Sequence, residues 1–201
     1  MKKIAKSTLV LVIFLVLILM ISACQRNDAK TPDNSDMTLE ENVDYVRIDK
    51  PSVDFELEDL DGNTIKLSDY KGQLVFLNFW GTWCPPCRKE MPHFESIHKQ
   101  FGDKGTKILA VSSTQVELQG GNDSDRAKNQ VQSFIDDGGF TFPIPLDSGN
   151  EVFEEYNKIF PVIGIPITYM IDKEGIIRYV LPGAFRDEDH IKAFMALLDQ
   201  E

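Results

Sequence analysis

Two of the three cysteines in this chain of 201 residues lie three positions apart, within the segment NFWGTWCPPCRKEMP at residues 78–92. A disulfide between neighbours this close, Cys84 and Cys87, closes almost no loop and would add little stability to a fold. The two thiols can still exchange a disulfide with each other and with other thiols. The spacing therefore predicts redox chemistry rather than a structural crosslink.

The cysteine pair lies where a buried strand is predicted to turn into a helix. The run LVFLNFW at residues 74–80 is typical of a central strand, and a helix is predicted from Cys84 or Pro85 to about Phe101. Pro85 suits the first helical position because proline has no N–H to leave unpaired. The helix dipole and backbone N–H groups would favour the thiolate of Cys84. We expect Cys84 to be the exposed, attacking sulfur, and Cys87 the more covered sulfur that resolves the mixed disulfide.

A zinc site is an alternative use of the pair. Zinc needs four ligands, and His93 and His98 are the nearest further candidates. They lie six and eleven residues beyond Cys87 on the same predicted helix, so the three side chains do not share one face. The sequence therefore predicts no metal and no other cofactor. His93, His98 and His190 are expected at the surface or at its boundary.

Strands and helices alternate along the chain after the cysteines. Strands are predicted at residues 107–113, 142–147, 167–172 and 176–183, the last two as a hairpin, and helices at 127–139, 150–160 and after the cap Asp187. This order, preceded by two short strands around a turn at residues 60–63, predicts an α/β fold with a mixed central sheet flanked by helices. Residues 114–126 are predicted to form an irregular polar loop.

Residues 1–23 have the composition of an export signal. Three lysines precede an uncharged run whose apolar centre is thirteen residues long, which suits a signal peptide. A membrane-spanning helix needs about 20 apolar residues. The run ends in Ile-Ser-Ala-Cys, which resembles the lipobox of bacterial lipoproteins, where cleavage before the cysteine is coupled to its acylation, so Cys24 is predicted to be lipidated. An uncleaved N-terminal anchor is the alternative, and both hold the chain at the extracytoplasmic face of the cell membrane.

Residues 24–50 are polar, acidic and poor in aromatic side chains, as in a flexible tether. The folded domain is therefore predicted over residues 51–201. The formal charge of the whole chain is −11, and removing the three lysines of residues 1–23 leaves −11 − 3 = −14. Nucleic acid and anionic lipid headgroups are not expected as partners of so acidic a chain. We expect a monomer.

The segment VFLNFWGTWCPPCRKEMP resembles the active-site segment of the thioredoxin superfamily, and most closely that of the TlpA/ResA-like extracytoplasmic thiol-disulfide oxidoreductases. The resemblance extends from about Pro51 to the C-terminus. It includes Pro92, five residues after the second cysteine, and an insert at about residues 114–137. It implies a thioredoxin-like fold with an N-terminal strand pair and a central insert.

The segment GIPITYMID matches the cis-proline segment of that family. The resemblance implies a cis Ile165–Pro166 bond beside the sulfurs. Ile165 and Pro166 would then bind an extended substrate peptide in the manner of an added strand. Trp83 is expected to cover one side of the redox site.

Asn78 and Glu90 distinguish the sequence from ordinary thioredoxins, which carry a buried aspartate at the position of Asn78. An amide cannot accept the proton that Cys87 must lose before it attacks. Glu90 lies one helical turn after Cys87, and a partly buried glutamate there could have a raised pKa and accept that proton. ResA-like members carry a glutamate at this spacing with that kind of role. The alternative is that Glu90 only solvates the helix beside Arg88 and Lys89.

The resemblance implies a membrane-tethered enzyme that exchanges disulfides of exported proteins, with apocytochrome c as the most common substrate and a membrane thiol donor that regenerates the dithiol. Whether it reduces or oxidises depends on its redox potential. A peroxiredoxin-type peroxidase is one alternative, although it would need a threonine or serine where Gly81 stands. A thiol metal carrier, for copper, is the other.

Overall fold

The computed structural model describes residues 45–201. The predictions for the export signal, for Cys24 and for most of the tether concern residues 1–44 and lie outside the described residues. Within residues 45–201, no helix is both long enough and apolar enough to cross a membrane.

Eight strands form one mixed sheet. They are β1 (Val46–Pro51), β2 (Glu56–Glu58), β3 (Thr64–Lys66), β4 (Leu74–Phe79), β5 (Thr106–Ser113), β6 (Leu146–Asp147), β7 (Ile167–Ile171) and β8 (Ile176–Pro182). Their order across the sheet is β1-β8-β7-β4-β5-β6-β2-β3. The central pair β4 and β5 is parallel, and β4 pairs with β7 in the antiparallel direction.

Helices cover the sheet on both sides. The α-helices of the described part are α1 (Pro85–Phe101), α2 (Thr114–Glu117), α3 (Ser124–Gly138), α4 (Glu151–Ile159) and α5 (Glu188–Leu198). The predicted α/β architecture, with a mixed sheet flanked by helices, is therefore confirmed.

Strand β4 contributes to the core on both faces of the sheet, and all six of its residues are buried. Phe76 packs on one face with residues of α1, α3 and α5. Val75, Leu77 and Phe79 pack on the other face with residues of α4. Alternation of side chains along the strand explains why so apolar a run is needed: both faces must be covered. The site lies at the C-terminal end of this buried strand, where α1 begins.

The structure corrects the predicted end of the tether. β1 begins at Val46 and pairs with β8, so residues 46–50 belong to the sheet and not to a flexible segment. Arg47 further joins β1 to the C-terminus, with hydrogen bonds to the carboxylate of Glu201 at 2.6 and 3.0 Å. A polar, charged strand fits here because β1 lies at the edge of the sheet and five of its six residues are exposed.

Two other local predictions are wrong. The strand predicted at residues 142–147 is reduced to Leu146–Asp147, because Pro143 and Pro145 have no N–H to donate, although their carbonyl groups accept from β5. The start of the predicted loop at residues 114–126 is the short helix α2. Ser113 caps it, since its hydroxyl oxygen accepts from the N–H of Val116.

Candidate active site

Cys84 and Cys87 form a disulfide at the N-terminus of α1. Cys84 is the cap of the helix, and Pro85 and Pro86 follow it without an N–H to donate. The N–H of Cys87 is therefore the first free donor of the helix, and it donates to Cys84 Sγ at 3.3 Å. A donor and a helix N-terminus aimed at one sulfur stabilise the thiolate of that sulfur when the disulfide is reduced.

The disulfide is more covered than the sequence predicted. Cys87 is fully buried, as expected, but Cys84 is only 3% exposed instead of standing free at the helix tip. The carbonyl oxygen of Ile165 lies 3.6 Å from Cys84 Sγ and covers it from the side.

The Ile165–Pro166 peptide bond is cis, as the resemblance implies. Two exposed apolar side chains flank these segments in the sequence: Trp83, just before Cys84, is 44% exposed, and Ile163, two residues before Ile165, is 91% exposed. Gly81 keeps this region compact, because a Cβ there would lie 3.0 Å from Trp83 Nε1 and 3.3 Å from Ile165 Cδ1. Position 81 therefore has neither the hydroxyl nor the space for the threonine that a peroxiredoxin-type site would need.

Glu90 is completely buried, so the alternative that it solvates the surface of α1 is wrong. Its Oε1 accepts from Asn78 Nδ2 at 3.2 Å, and its Oε2 accepts from the N–H of Phe185 at 2.9 Å. Burial raises the pKa of Glu90 to about 8, and the two hydrogen bonds oppose that rise only in part. Glu90 lies one turn beyond Cys87 on the same helix, which places a carboxyl with a thiol-like pKa beside the resolving sulfur.

Asn78 connects Glu90 to the cis-proline segment. Its Nδ2 donates to Glu90 and to Thr168 Oγ1, the latter at 2.9 Å, while its buried Oδ1 has no hydrogen-bond partner among the described residues. Asn78 and Glu90 were each predicted from the sequence, but Thr168 and the loop around Phe185 were not. Thr168 could have been found from its position two residues after Pro166, whereas nothing near Phe185 signals its role.

A second buried glutamate, Glu117 in α2, was also missed. It is 2% exposed and accepts from both the N–H and the hydroxyl group of Thr82, the former at 2.9 Å. The Nε1 of Trp83 donates to the carbonyl oxygen of Val116 at 3.0 Å. Burial raises the pKa of Glu117, and the hydrogen bonds from Thr82 oppose that rise. α2 therefore contacts the two residues that immediately precede Cys84.

One histidine is more buried than predicted. His93 and His98 are partly exposed, as expected, but His190 is only 5% exposed, and its Nδ1 accepts from the N–H of Arg186 at 3.3 Å. It lies against the rings of Phe185 and Phe194. His190 faces the core because it begins the apolar side of α5, which the sequence pattern placed one residue later.

The fold and the redox disulfide at the start of a helix define the class of protein: the chain is a thioredoxin-like thiol-disulfide oxidoreductase. The chain belongs to the AhpC/TSA family, whose family model matches residues 48–180.

Named relatives support the same class. The chain is 37% identical over 156 residues to the thiol-disulfide oxidoreductase ResA of Halalkalibacterium halodurans, covering 78% of this chain and 80% of that protein. It is 38% identical over 144 residues to ResA of Geobacillus kaustophilus, covering 72% and 74%.

Solved structures agree. The crystal structure of StoA from Bacillus subtilis is similar at a TM-score of 0.57 and 30% identity, over 71% of this chain and 96% of that one. A thioredoxin-family thiol:disulfide interchange protein from Chlorobium tepidum has the same fold at a TM-score of 0.64 and 22% identity, over 75% and 96%. The predicted resemblance to ResA-like enzymes is therefore confirmed.

Proposed function

We propose that this enzyme is tethered to the extracytoplasmic face of the bacterial membrane and reduces disulfides of exported proteins, apocytochrome c among them. The observation that carries the proposal is the buried carboxyl of Glu90, one turn beyond the Cys84–Cys87 disulfide, with a pKa raised to about 8. Similarity to relatives named thiol-disulfide oxidoreductase ResA supports disulfide exchange as the reaction. The signal-like residues 1–23 and the lipobox-like sequence at Cys24 support the tether.

The reaction begins with the reduced enzyme. The thiolate of Cys84 attacks one sulfur of a substrate disulfide, which forms a mixed disulfide and releases the other substrate sulfur as a thiolate. The thiolate of Cys87 then attacks Cys84 Sγ. The bond between Cys84 and the substrate breaks, the second substrate thiolate leaves, and the Cys84–Cys87 disulfide forms. Two electrons pass from the enzyme to the substrate, and a thiol donor at the membrane returns two electrons by the same exchange in reverse.

Glu90 accepts the proton that Cys87 loses before its attack. An ordinary thiol has a pKa of about 8.5, so transfer to a carboxylate whose pKa is about 8 is nearly balanced in free energy. A glutamate with an ordinary pKa would be a much weaker base. The same match lets Glu90 return the proton to Cys87 when the donor reduces the disulfide.

Trp83, Ile165 and Pro166 bind the polypeptide on either side of the disulfide. The carbonyl oxygen of Ile165 is 3.6 Å from Cys84 Sγ, and the indole of Trp83 is 44% exposed. An extended peptide that pairs with the backbone at Ile165 would bring its own sulfur to Cys84. Contacts to backbone and apolar surface suit an enzyme that accepts several exported proteins.

A trapping experiment tests the reaction. Cys87→Ser removes the resolving thiol, so the Cys84 mixed disulfide should accumulate when the reduced enzyme meets an oxidised apocytochrome c peptide with a CxxCH motif. Cys84→Ser should form no such adduct. The potential of the wild-type pair should be about −250 mV or lower, whereas a value near −120 mV would show an oxidant and contradict the proposal.

Two further measurements test the tether and the competing activity. The intact mass of the membrane-bound protein tests the tether: loss of residues 1–23 with added lipid mass at Cys24 would show the lipoprotein, and an unmodified full-length chain would show the uncleaved anchor. Turnover of hydrogen peroxide at enzymatic rates would favour a peroxidase instead, and we expect none above that of free thiols.

A further inference from the structure

Three hydrogen bonds join α2 to the residues before Cys84. Glu117 accepts from the N–H and from the hydroxyl group of Thr82, and Trp83 donates from Nε1 to the carbonyl oxygen of Val116. The first two bonds hold the backbone and the side chain of one residue with one carboxyl group. The third holds the ring of the next residue. Together they fix both residues of the Thr82–Trp83 segment.

The burial of Glu117 is not compensated by a cation. Glu117 is 2% exposed, and within residues 45–201 only burial and the bonds from Thr82 act on its carboxyl, with no charged partner. Burying a carboxyl group without a positive partner costs stability. An apolar side chain at position 117 would therefore stabilise the fold more if packing were its only role. What the carboxyl supplies here is two acceptor oxygens in fixed geometry, aimed at the two donors of Thr82.

α2 is itself anchored on the side away from the disulfide. A helix of four residues has little stability of its own. The Oδ1 of Asn150 accepts from the N–H of Gln115 at 2.6 Å and from the hydroxyl group of Ser113, which in turn caps α2. Hydrogen bonds therefore connect Asn150 through α2 and Glu117 to Thr82, which lies two residues before Cys84.

We propose that Glu117 is a positioning residue: through Thr82 it fixes the Trp83 ring beside Cys84, and so sets the surface that receives a polypeptide substrate. The inference rests on the proposed function, in which Trp83 contacts the substrate. It predicts that loss of the Glu117 hydrogen bonds impairs exchange with polypeptides, which must contact Trp83. Exchange with a small disulfide, which needs only the sulfurs, should be spared.

The chain offers a matched control. Glu95 of α1 is also buried, and it accepts from the N–H and from the hydroxyl group of Thr141 at 2.7 and 2.8 Å. It lies two turns beyond Cys87 and has no contact with Thr82 or Trp83 among its hydrogen bonds. Glu95→Gln therefore removes the same kind of bond from the same kind of residue pair, away from the substrate surface.

The experiment compares Glu117→Gln with Glu95→Gln on two substrates, the oxidised CxxCH peptide and glutathione disulfide. For Glu117→Gln we expect kcat/KM for the peptide to fall about tenfold, the effect of losing one buried hydrogen bond to a charged group, and that for glutathione disulfide to change less than twofold. Glu95→Gln should leave both values within twofold of wild type.

Fluorescence gives a second readout. The chain has two tryptophans, and Trp80 is fully buried, so quenching by acrylamide reports on Trp83. Quenching should increase in Glu117→Gln and not in Glu95→Gln. If Glu117→Gln does not fold, Thr82→Val tests the proposal instead, because it removes only the hydroxyl donor. For Thr82→Val we expect kcat/KM for the peptide to fall about threefold and that for glutathione disulfide to stay unchanged.

Several outcomes would overturn the proposal. Equal losses with both substrates would place Glu117 in the chemistry of the sulfurs or in the stability of the fold. No loss, unchanged quenching, or the same losses in Glu95→Gln would remove its positioning role. A wild-type enzyme unable to exchange with either substrate would instead contradict the proposed function, so the two failures are distinguishable.

Discussion

Glu90 and Glu95 lie five residues apart on α1, and both are buried, but their environments differ. Burial raises the pKa of Glu90 to about 8, since its two donors, Asn78 and Phe185, are neutral groups. Burial also raises the pKa of Glu95, but the ion pair with Lys99 at 2.8 Å and the bonds from Thr141 outweigh that effect and hold its pKa below the ordinary value.

The comparison shows that burial alone does not make a carboxyl group a base with a thiol-like pKa. The absence of a cation near Glu90 among residues 45–201 matters as much, because a lysine at the position equivalent to Lys99 would lower the pKa of Glu90 again. α1 thus carries one carboxyl suited to proton transfer, one turn beyond Cys87, and a second, two turns beyond Cys87, that joins the helix to Thr141.

The largest difference should appear in stability. Folded Glu90 keeps its proton up to about pH 8, whereas unfolded Glu90 loses it above its ordinary pKa, so the folded protein loses stability as the pH rises through this window. Glu90→Gln does not titrate. The free energy of unfolding of the wild-type protein should fall by about 1.4 kcal/mol per pH unit in this window. After allowance for the one acceptor that the amide lacks, Glu90→Gln should be about 3 kcal/mol more stable than wild type near pH 8.

Urea denaturation between about pH 5 and 8 measures this effect. The advantage of Glu90→Gln should shrink as the pH falls and disappear about one unit above the ordinary pKa of a glutamate, below which the missing acceptor should leave the variant less stable than wild type. An advantage that is the same at every pH would show that Glu90 is not protonated in the folded protein.

The next largest effect concerns the rate of resolution. Glu90→Gln cannot accept the proton of Cys87, so decay of a Cys84 mixed disulfide should slow about 100-fold near pH 8, a typical contribution of a general base. Stopped-flow release of a coloured thiol from Cys84 measures it. Glu95→Gln is the control and should resolve at the wild-type rate. Wild-type kinetics in Glu90→Gln across pH would remove Glu90 from the mechanism.

Asn78 should have a smaller effect, exerted through Glu90. The hydrogen bond from Asn78 lowers the pKa of Glu90, so Asn78→Ala should raise it further. Loss of a bond to a charged group corresponds to about one pKa unit, so the midpoint of the pH–rate profile should move upward by about one unit and the rate at neutral pH fall about tenfold. Thr168→Val keeps the contact between Asn78 and Glu90, and its midpoint should stay in place.

The smallest effect is expected for Glu95→Gln. It removes the ion pair with Lys99 and one acceptor for Thr141, which should cost about 1 kcal/mol near neutral pH. Because the folded pKa of Glu95 is lowered, this contribution is present above the ordinary pKa of a glutamate and is lost as the pH falls. The variant and wild type should therefore converge in acid, the opposite trend to that of Glu90→Gln.

The cysteine pair, the helix that begins at Pro85 and the apolar strand before it could all be predicted from the sequence, because each is a property of neighbouring residues. Glu90 was also identifiable, since a spacing of three places it on the helix face of Cys87. The burial of Cys84 could not be predicted, because it depends on the carbonyl group of Ile165, which covers the sulfur. The extent of β6 could not be predicted either, because it depends on which backbone N–H groups are available to pair with the neighbouring strands.

The residue types and their spacing are enough to show the chemistry available here, two thiols and a carboxyl in one helical register. The titration of that carboxyl, and the choice of residues that set the surface around the sulfurs, depend instead on contacts between distant parts of the chain. Phe185, which bonds Glu90, is 95 residues away, and Glu117, which holds Thr82, is 35 residues away. Such contacts form because packed elements meet in space, and no local pattern of residues encodes them.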